Sequence, residues 1–183
     1  MSKVRVMAVD PGTNTLGLSV HEANIETGQL IVLDAYTVNV PRIAGIYKSV
    51  ELETLDEKVA KLEAIEYSIA NYARSWEVTY AVSESPYMGK FPAAYGALVS
   101  CINAIRKGCI FYDSALNLEI IDPSTVKKSL GVPGNSGDKS LIDAAILVNK
   151  SINTSNIDYK VLDEHSKDSI AVGYAFLKLF LMG

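Results

Sequence analysis

The chain has 183 residues, 49% of them hydrophobic, a length and composition that suit one domain (1–183) with a sizeable core and leave little room for a second. A net charge of −4 argues against a nonspecific polyanion binder, which needs clustered Lys and Arg. The most apolar stretch, residues 170–182, is too short to span a bilayer and carries Lys178, and no basic segment followed by an apolar run opens the chain, so a soluble, cytoplasmic protein without membrane partners is expected.

The first element is a near-continuous apolar run, Val4, Val6, Met7, Ala8 and Val9, which reads as a central strand over 4–9. Pro11-Gly12 turns it into a second strand over 16–22, and Thr27-Gly28 turns that into a third over 30–38, an antiparallel meander. Residues 39–53, with Pro41 and Gly45, read as an irregular connection. From Leu55 the apolar positions Val59, Leu62, Ile65, Ile69 and Tyr72 recur at helical spacing to about residue 75. A short β-rich run over 78–83 ends at Glu84, and Pro86 and Gly89 give a loop before the helical pattern of 93–107. Cys101 and Cys109, without CxxC spacing, fall in an apolar helical pattern as reduced core thiols. A fifth strand over 118–121, a short helix over 123–130, a glycine-rich mobile loop over 131–137 and a helix over 138–149 follow. The last helix starts near Asp163 and continues to Met182.

This order of elements predicts an α/β fold with a mixed five-stranded sheet flanked by helices, strands 1–3 antiparallel and strands 4 and 5 parallel to strand 1, the RNase H-like architecture. Right-handed crossovers would set strands 1 and 4 side by side, so that Asp10 and Glu84 leave the sheet at neighbouring carboxyl ends. A carboxylate leaving a buried strand costs desolvation unless a cation or hydrogen bonds compensate it, which makes Asp10 the first candidate metal ligand. In Asp163-Glu164-His165-Ser166-Lys167-Asp168, His165 and Asp168 stand three apart and share a helix face.

Hard oxygen donors suit Mg²⁺, and two such ions can activate a water and stabilise a leaving alkoxide. Asp10, Glu84 and Asp168 have that chemistry, and His165 could ligate the second ion, hold the attacking water or deprotonate it. Taken singly, each residue has an ordinary explanation: an Asx turn at Pro11-Gly12 for Asp10, a strand-end acid for Glu84, a helix N-terminus for Asp163 or Asp168. Their joint placement at ends that the topology brings together favours a site. His21, without a metal partner at ligand spacing, reads as structural or exposed. The acids concentrate between Glu51 and Glu66, while Lys90, Arg106, Lys107, Lys127, Lys128 and Lys139 could form a localised basic surface.

These motifs together resemble the RuvC family of Holliday-junction resolvases, from Val4 to the final helix. Asp10-Pro11-Gly12-Thr13-x-x-x-Gly17 looks like the family's first catalytic strand, Glu84 with Tyr87 like its second acid and following aromatic, and His165-x-x-Asp168 like its last motif, where many relatives carry Asp at the position of His165. Residues 123–131, with Gly134 and Lys139, resemble its basic DNA-binding segment. The resemblance implies a homodimer that binds a four-way DNA junction and nicks two strands symmetrically with Mg²⁺ or Mn²⁺, two ions per site. In that setting Tyr87 could stack on an unpaired base, although packing on the following helix is its plain alternative, and Lys127, Lys128 and Lys139 could hold phosphates. Three rival readings stand beside it: a broader fork or branched-DNA nuclease, an RNase H-type hybrid nuclease, and an inactive DNA-binding or regulatory module on the same fold. An actin-like ATPase would need a second lobe and a second phosphate loop, which the chain lacks.

Overall fold

A computed structural model describes residues 3–50, 56–88, 91–138 and 140–181. Three strands open the chain, β1 (Lys3–Asp10), β2 (Thr15–Asn24) and β3 (Gln29–Asn39), followed by helices α1 (Val40–Val50) and α2 (Glu57–Trp76). Strand β4 (Tyr80–Glu84), helix α3 (Pro92–Tyr112), strand β5 (Leu118–Ile121) and helices α4 (Pro123–Ser129) and α5 (Ser140–Val148) come next. A two-residue strand β6 (Ile152–Asn153) and a 3₁₀ turn at Tyr159–Val161 lead to α6 (Glu164–Phe176), which ends in a π-helical turn at Leu177–Leu181.

The sheet order is β5-β4-β1-β2-β3-β6, with β1–β3 antiparallel and β4 and β5 running parallel to β1 as expected. The strand count corrects from five to six. β6 pairs in parallel with Leu30 and Ile31 of β3, and two residues are too few to show any hydrophobic period. The connection after β3 also corrects: residues 40–50 are helical rather than irregular. Pro41 stands in the first turn, where a proline removes no intrahelical bond, and Asn39 caps that turn by accepting from the Arg42 amide at 3.1 Å. The acids of 51–55 lie outside the described residues.

Helix α3 runs to Tyr112, past the predicted end at 107, because Gly108 is part of its packing rather than a stop. A Cβ at Gly108 would meet the Glu66 carbonyl oxygen at 2.6 Å and Ile69 Cβ at 2.7 Å, so only glycine lets α3 lie this close to α2. At the other end of the chain, the α-helical path stops at Phe176. The π-helical turn beyond it stacks Phe180 on Phe176, centroids 5.4 Å apart, and sends Lys178 Nζ to the Ser129 carbonyl oxygen at 2.7 Å, fastening the end of α6 to the end of α4.

Strand alternation gives the sheet two buried faces. Met7, Val9, Leu16, Leu18 and Val20 pack under α2 and α3 with Ile65, Ile69, Cys101, Ile105 and Cys109. Val6, Ala8, Val32 and Val82 pack under the carboxyl-terminal helices with Ile142, Ile146, Ile170, Val172 and Phe176. Each fully buried Leu or Ile contributes about 1.5–3 kcal/mol relative to exposure. Both cysteines are buried free thiols, as expected. Among the described residues, no helix is long and apolar enough to cross a membrane.

His21 is structural, not exposed. It is fully buried on β2, its Nε2 lies 2.9 Å from Ser19 Oγ, and α6 passes it at Gly173, where a Cβ would sit 2.2 Å from Nε2. Burial pushes its pKa down from 6.5 to about 3, so the ring is neutral, and among the described residues its Nδ1 has no hydrogen-bond partner.

Candidate active site

The geometry of the site follows from alternation and register. Asp10 falls on the same face of β1 as Val6 and Ala8, the face covered by α6. β4 pairs with β1 in parallel up to the rung Val9–Ser83, so the next residues, Asp10 and Glu84, end adjacent strands on that same face. Two carboxylates distant in sequence thus leave the sheet side by side.

The start of α6 is brought to this edge by β2 and β3. Asp163 caps the helix, accepting from the Ser166 amide at 2.9 Å, and Thr37 of β3 donates to Asp163 Oδ1 at 2.5 Å and lies 3.0 Å from Ser166 Oγ. Burial works to raise the Asp163 pKa, but the hydrogen bonds from Thr37 and Ser166, with the nearby His165, outweigh it and hold the carboxyl below its ordinary range. Gly17 of β2 admits the helix backbone: a Cβ there would lie 2.1 Å from the His165 carbonyl oxygen. So seated, His165 places Nδ1 2.8 Å from Asp10 Oδ2 and Nε2 2.9 Å from Thr15 Oγ1.

Beside this pair a cleft of about 640 Å³ is lined by Glu84, Asp168, Tyr87, Asp122, Lys127 and Asn135, among others. The predicted Tyr87 is 72% exposed rather than packed on the following helix. Lys127 lines the cleft and donates to the Ser136 carbonyl oxygen at 2.6 Å, which folds the 131–137 loop over it. Lys128 is exposed and does not line the cleft; its stem lies against Gly134, where a Cβ would be 2.9 Å from Cε. Lys139, like Lys90, lies outside the described residues. Asp122, which sequence reasoning passed over, caps α4, and hydrogen bonds from Ser124 and Thr125 pull its pKa down to about 2.

Of the four predicted catalytic and metal-binding residues, the structure joins Asp10 to His165 directly and places Glu84 and Asp168 around one cleft, with His165 and Asp168 three residues apart on α6. The donors are of the hard, oxygen-rich kind that Mg²⁺ takes. Among the described residues, however, no group of three His, Cys, Asp or Glu side chains is gathered closely enough to hold a metal ion, and one Asp10 oxygen is engaged by His165. The donor types are those a divalent ion takes, but as placed the side chains do not form a coordination sphere.

Thr15, Thr37 and Ser166 carry no signal of their own in the sequence, and Gly17 stands there only as the last residue of the first motif. Each is an ordinary strand or helix residue until the register sets Gly17 opposite Thr37 and both beneath α6. Cys101 donates to the Gly12 carbonyl oxygen at 3.7 Å, and burial, against that hydrogen bond and with the charge of Asp10, pushes its thiol up to about 12.

No protein-family model matches the chain, and no curated protein matches it in sequence. Solved structures do. RuvC of Thermus thermophilus superposes with a TM-score of 0.63 at 12% identity, covering 97% of this chain and 98% of that one. The yeast mitochondrial Holliday junction resolvase Ydc2 gives 0.67 at 12% identity over 96% of this chain and 78% of its own. The Fowlpox virus resolvase, solved with its substrate Holliday junction DNA, gives 0.57 at 14% identity over 96% and 97%. At these identities the likeness is one of architecture, and over nearly its whole length this chain has the RuvC-type, RNase H-like fold.

Proposed function

We propose that the chain is a structure-selective DNA endonuclease that resolves four-way junctions by paired, metal-dependent phosphodiester hydrolysis. The observation that carries this reading is the Asp10–His165 contact together with a cleft lined by Glu84 and Asp168, in a fold shared over nearly its whole length with resolvases solved on junction DNA. In this reading Asp10, Glu84 and Asp168, with His165, hold Mg²⁺, two ions per site, with Mn²⁺ as a substitute. Bound there, the ions would activate a water and stabilise the leaving alkoxide.

The remaining roles belong to the chain itself. Lys127 at the cleft wall pairs with a phosphate of the scissile strand, and Lys128 and Lys139 also hold phosphates. Tyr87, exposed at the mouth, stacks on a base unpaired at the branch point, which any base face satisfies. The 183 residues act as one nuclease domain in the cytoplasm, and two copies form a homodimer that sets one site against each of two equivalent strands.

Cleavage of a four-way junction beside forks, flaps, linear duplex and an RNA–DNA hybrid, with Mg²⁺, Mn²⁺ and EDTA, tests substrate, metal and reaction together. The four-way junction is expected to be cut fastest, and EDTA to stop cutting. Asp10→Asn and Glu84→Gln are each expected to lower nicking by more than about 100-fold while junction binding persists. Preferential hybrid cleavage, or undiminished nicking by either variant, would overturn the assignment.

A further inference from the structure

Beside the same end of the sheet, between the end of β3 and helices α1 and α2, lies a cavity that the proposed chemistry does not use. It holds about 440 Å³, and Tyr36, Thr37, Asn39, Arg42, Tyr67 and Asn71 are among the residues that line it. We propose that this cavity binds a nucleotide, with the phosphate on Arg42 and the base against the tyrosine rings, and that a strand of the bound DNA supplies it. The choice of DNA as the source rests on the nuclease reading, and the pocket itself does not.

Hydrogen-bond roles set the charge preference. Asn39 Oδ1 accepts from the Arg42 amide at 3.1 Å, and Asn71 Oδ1 accepts from the Arg74 guanidinium at 3.2 Å. Both partners can only donate, so each side-chain amide has spent its oxygen, and what it still offers a ligand is its NH₂ group. Arg42 adds a guanidinium that cannot lose its proton. Among the described residues that line the cavity, none is acidic. Asp34 does not line it and accepts from the Tyr72 hydroxyl at 3.2 Å. Burial, and then the Asp34 charge, push the Tyr36 hydroxyl up to about 12 and raise Tyr72 as well, so both tyrosines stay neutral. A fixed cation with N–H donors and no negative charge suits an anion rich in acceptors.

The rings narrow the class further. Tyr36 packs edge-on against Tyr72, centroids 5.2 Å apart, which steadies a ring that remains 39% exposed, and Tyr67 is 57% exposed. Inorganic phosphate would leave these faces uncovered, whereas a base of any identity stacks on them. Position then points to the source. Asn39 pairs across the β2–β3 ladder with Thr15, whose hydroxyl lies 2.9 Å from His165, and Thr37 bonds Asp163 at the start of α6. Paired residues are about 5 Å apart between Cα atoms, so the cavity is within a few nucleotides of the catalytic edge.

The test uses the full chain in EDTA, so that nothing is cut. A 5′-phosphorylated thymidine dinucleotide, thymidine and inorganic phosphate are titrated separately into ¹⁵N-labelled protein. The dinucleotide is expected to shift the side-chain NH₂ signals of Asn39 and Asn71 and to bind about 10-fold more tightly than either fragment. Arg42→Gln and Tyr67→Leu should each weaken it by about 10-fold, and Tyr67→Phe, which keeps the ring, should not. Both positions are exposed, and circular dichroism checks that the variants fold. A four-way junction is bound in the same buffer, where Arg42→Gln should weaken binding by about 5-fold and lower the slope of log K against log salt by about 1. Junction binding unchanged in both variants, with dinucleotide binding lost, would overturn DNA as the source in favour of a free nucleotide. Dinucleotide binding that is absent, that ignores Arg42 and Tyr67, or that shifts only the cleft of Tyr87 and Lys127 would overturn the pocket. A wild-type chain that binds the dinucleotide but no junction would sink the nuclease reading and spare the pocket.

Discussion

The face of the sheet under α2 and α3 and the face under α6 use the same strands but bury different chemistry. Under α2 and α3 the buried strand residues are apolar, Ser83 apart, and contact is made close by Gly108 sliding against Glu66 and Ile69. Under α6 the strands bury Ser19 and His21 and end in Asp10, Thr15, Thr37 and Glu84, while the helix answers with Ser166 and Ser169 buried and His165 at its start. Buried polar groups seek partners: Ser19 and His21 pair within β2, Ser169 bonds back to Ser166 within α6, and Thr37 meets Ser166 across the strand–helix interface. One face is therefore a packing surface, and the other couples packing to the position of the candidate catalytic groups.

Mutations that disturb the two faces equally should separate in their effects. The largest expected consequence is for Gly17→Ala, whose added methyl must displace the His165 carbonyl; junction cleavage is expected to fall by about 100-fold in protein that still folds by circular dichroism. Gly108→Ala on the other face, similarly crowded, is expected to cost about 1–3 kcal/mol in urea unfolding while the folded protein cleaves at the wild-type rate. Equal kinetic losses in both would erase the distinction.

The third expected effect is on pH. The folded-state pKa of His21, about 3, lies below its ordinary 6.5, so between these values the unfolded chain takes up a proton that the folded chain does not. Stability is then full above about pH 6.5 and falls on acidification towards about pH 3. His21→Gln should remove that part of the slope, so urea unfolding of wild type and variant should converge as pH drops from 7 towards 4. Parallel curves would place the buried titrating group elsewhere.

The sequence revealed those features that carry a period or a motif. β1 announces itself as an apolar run, β4 as a short β-rich run ending at Glu84, and α2 shows its helical stripe. Helix α1 was hidden because Pro41 and Gly45 read as breakers, although a proline in a first turn interrupts nothing. β6 has no pattern of its own and exists through its pairing with β3. At the site, Asp10, Glu84, His165 and Asp168 were legible by motif spacing, and the structure adds the direct Asp10–His165 bond. Thr15 and Thr37 were not legible, and Gly17 was legible only as a motif residue, since their packing roles arise from the register between β2 and β3 and from the approach of α6. His21 likewise gains its role from Gly173 on another element.

The matched rungs of β1 and β4 also set which length changes β4 can absorb. Slipping that strand by a single residue would carry the Glu84 carboxylate through the sheet to the greasy side beneath α2 and α3, far from Asp10. Adding two would return it to its own side, one step further along. Insertions in an even number should thus be survivable where odd ones are not, a counting rule imposed by the pleat rather than by any side chain.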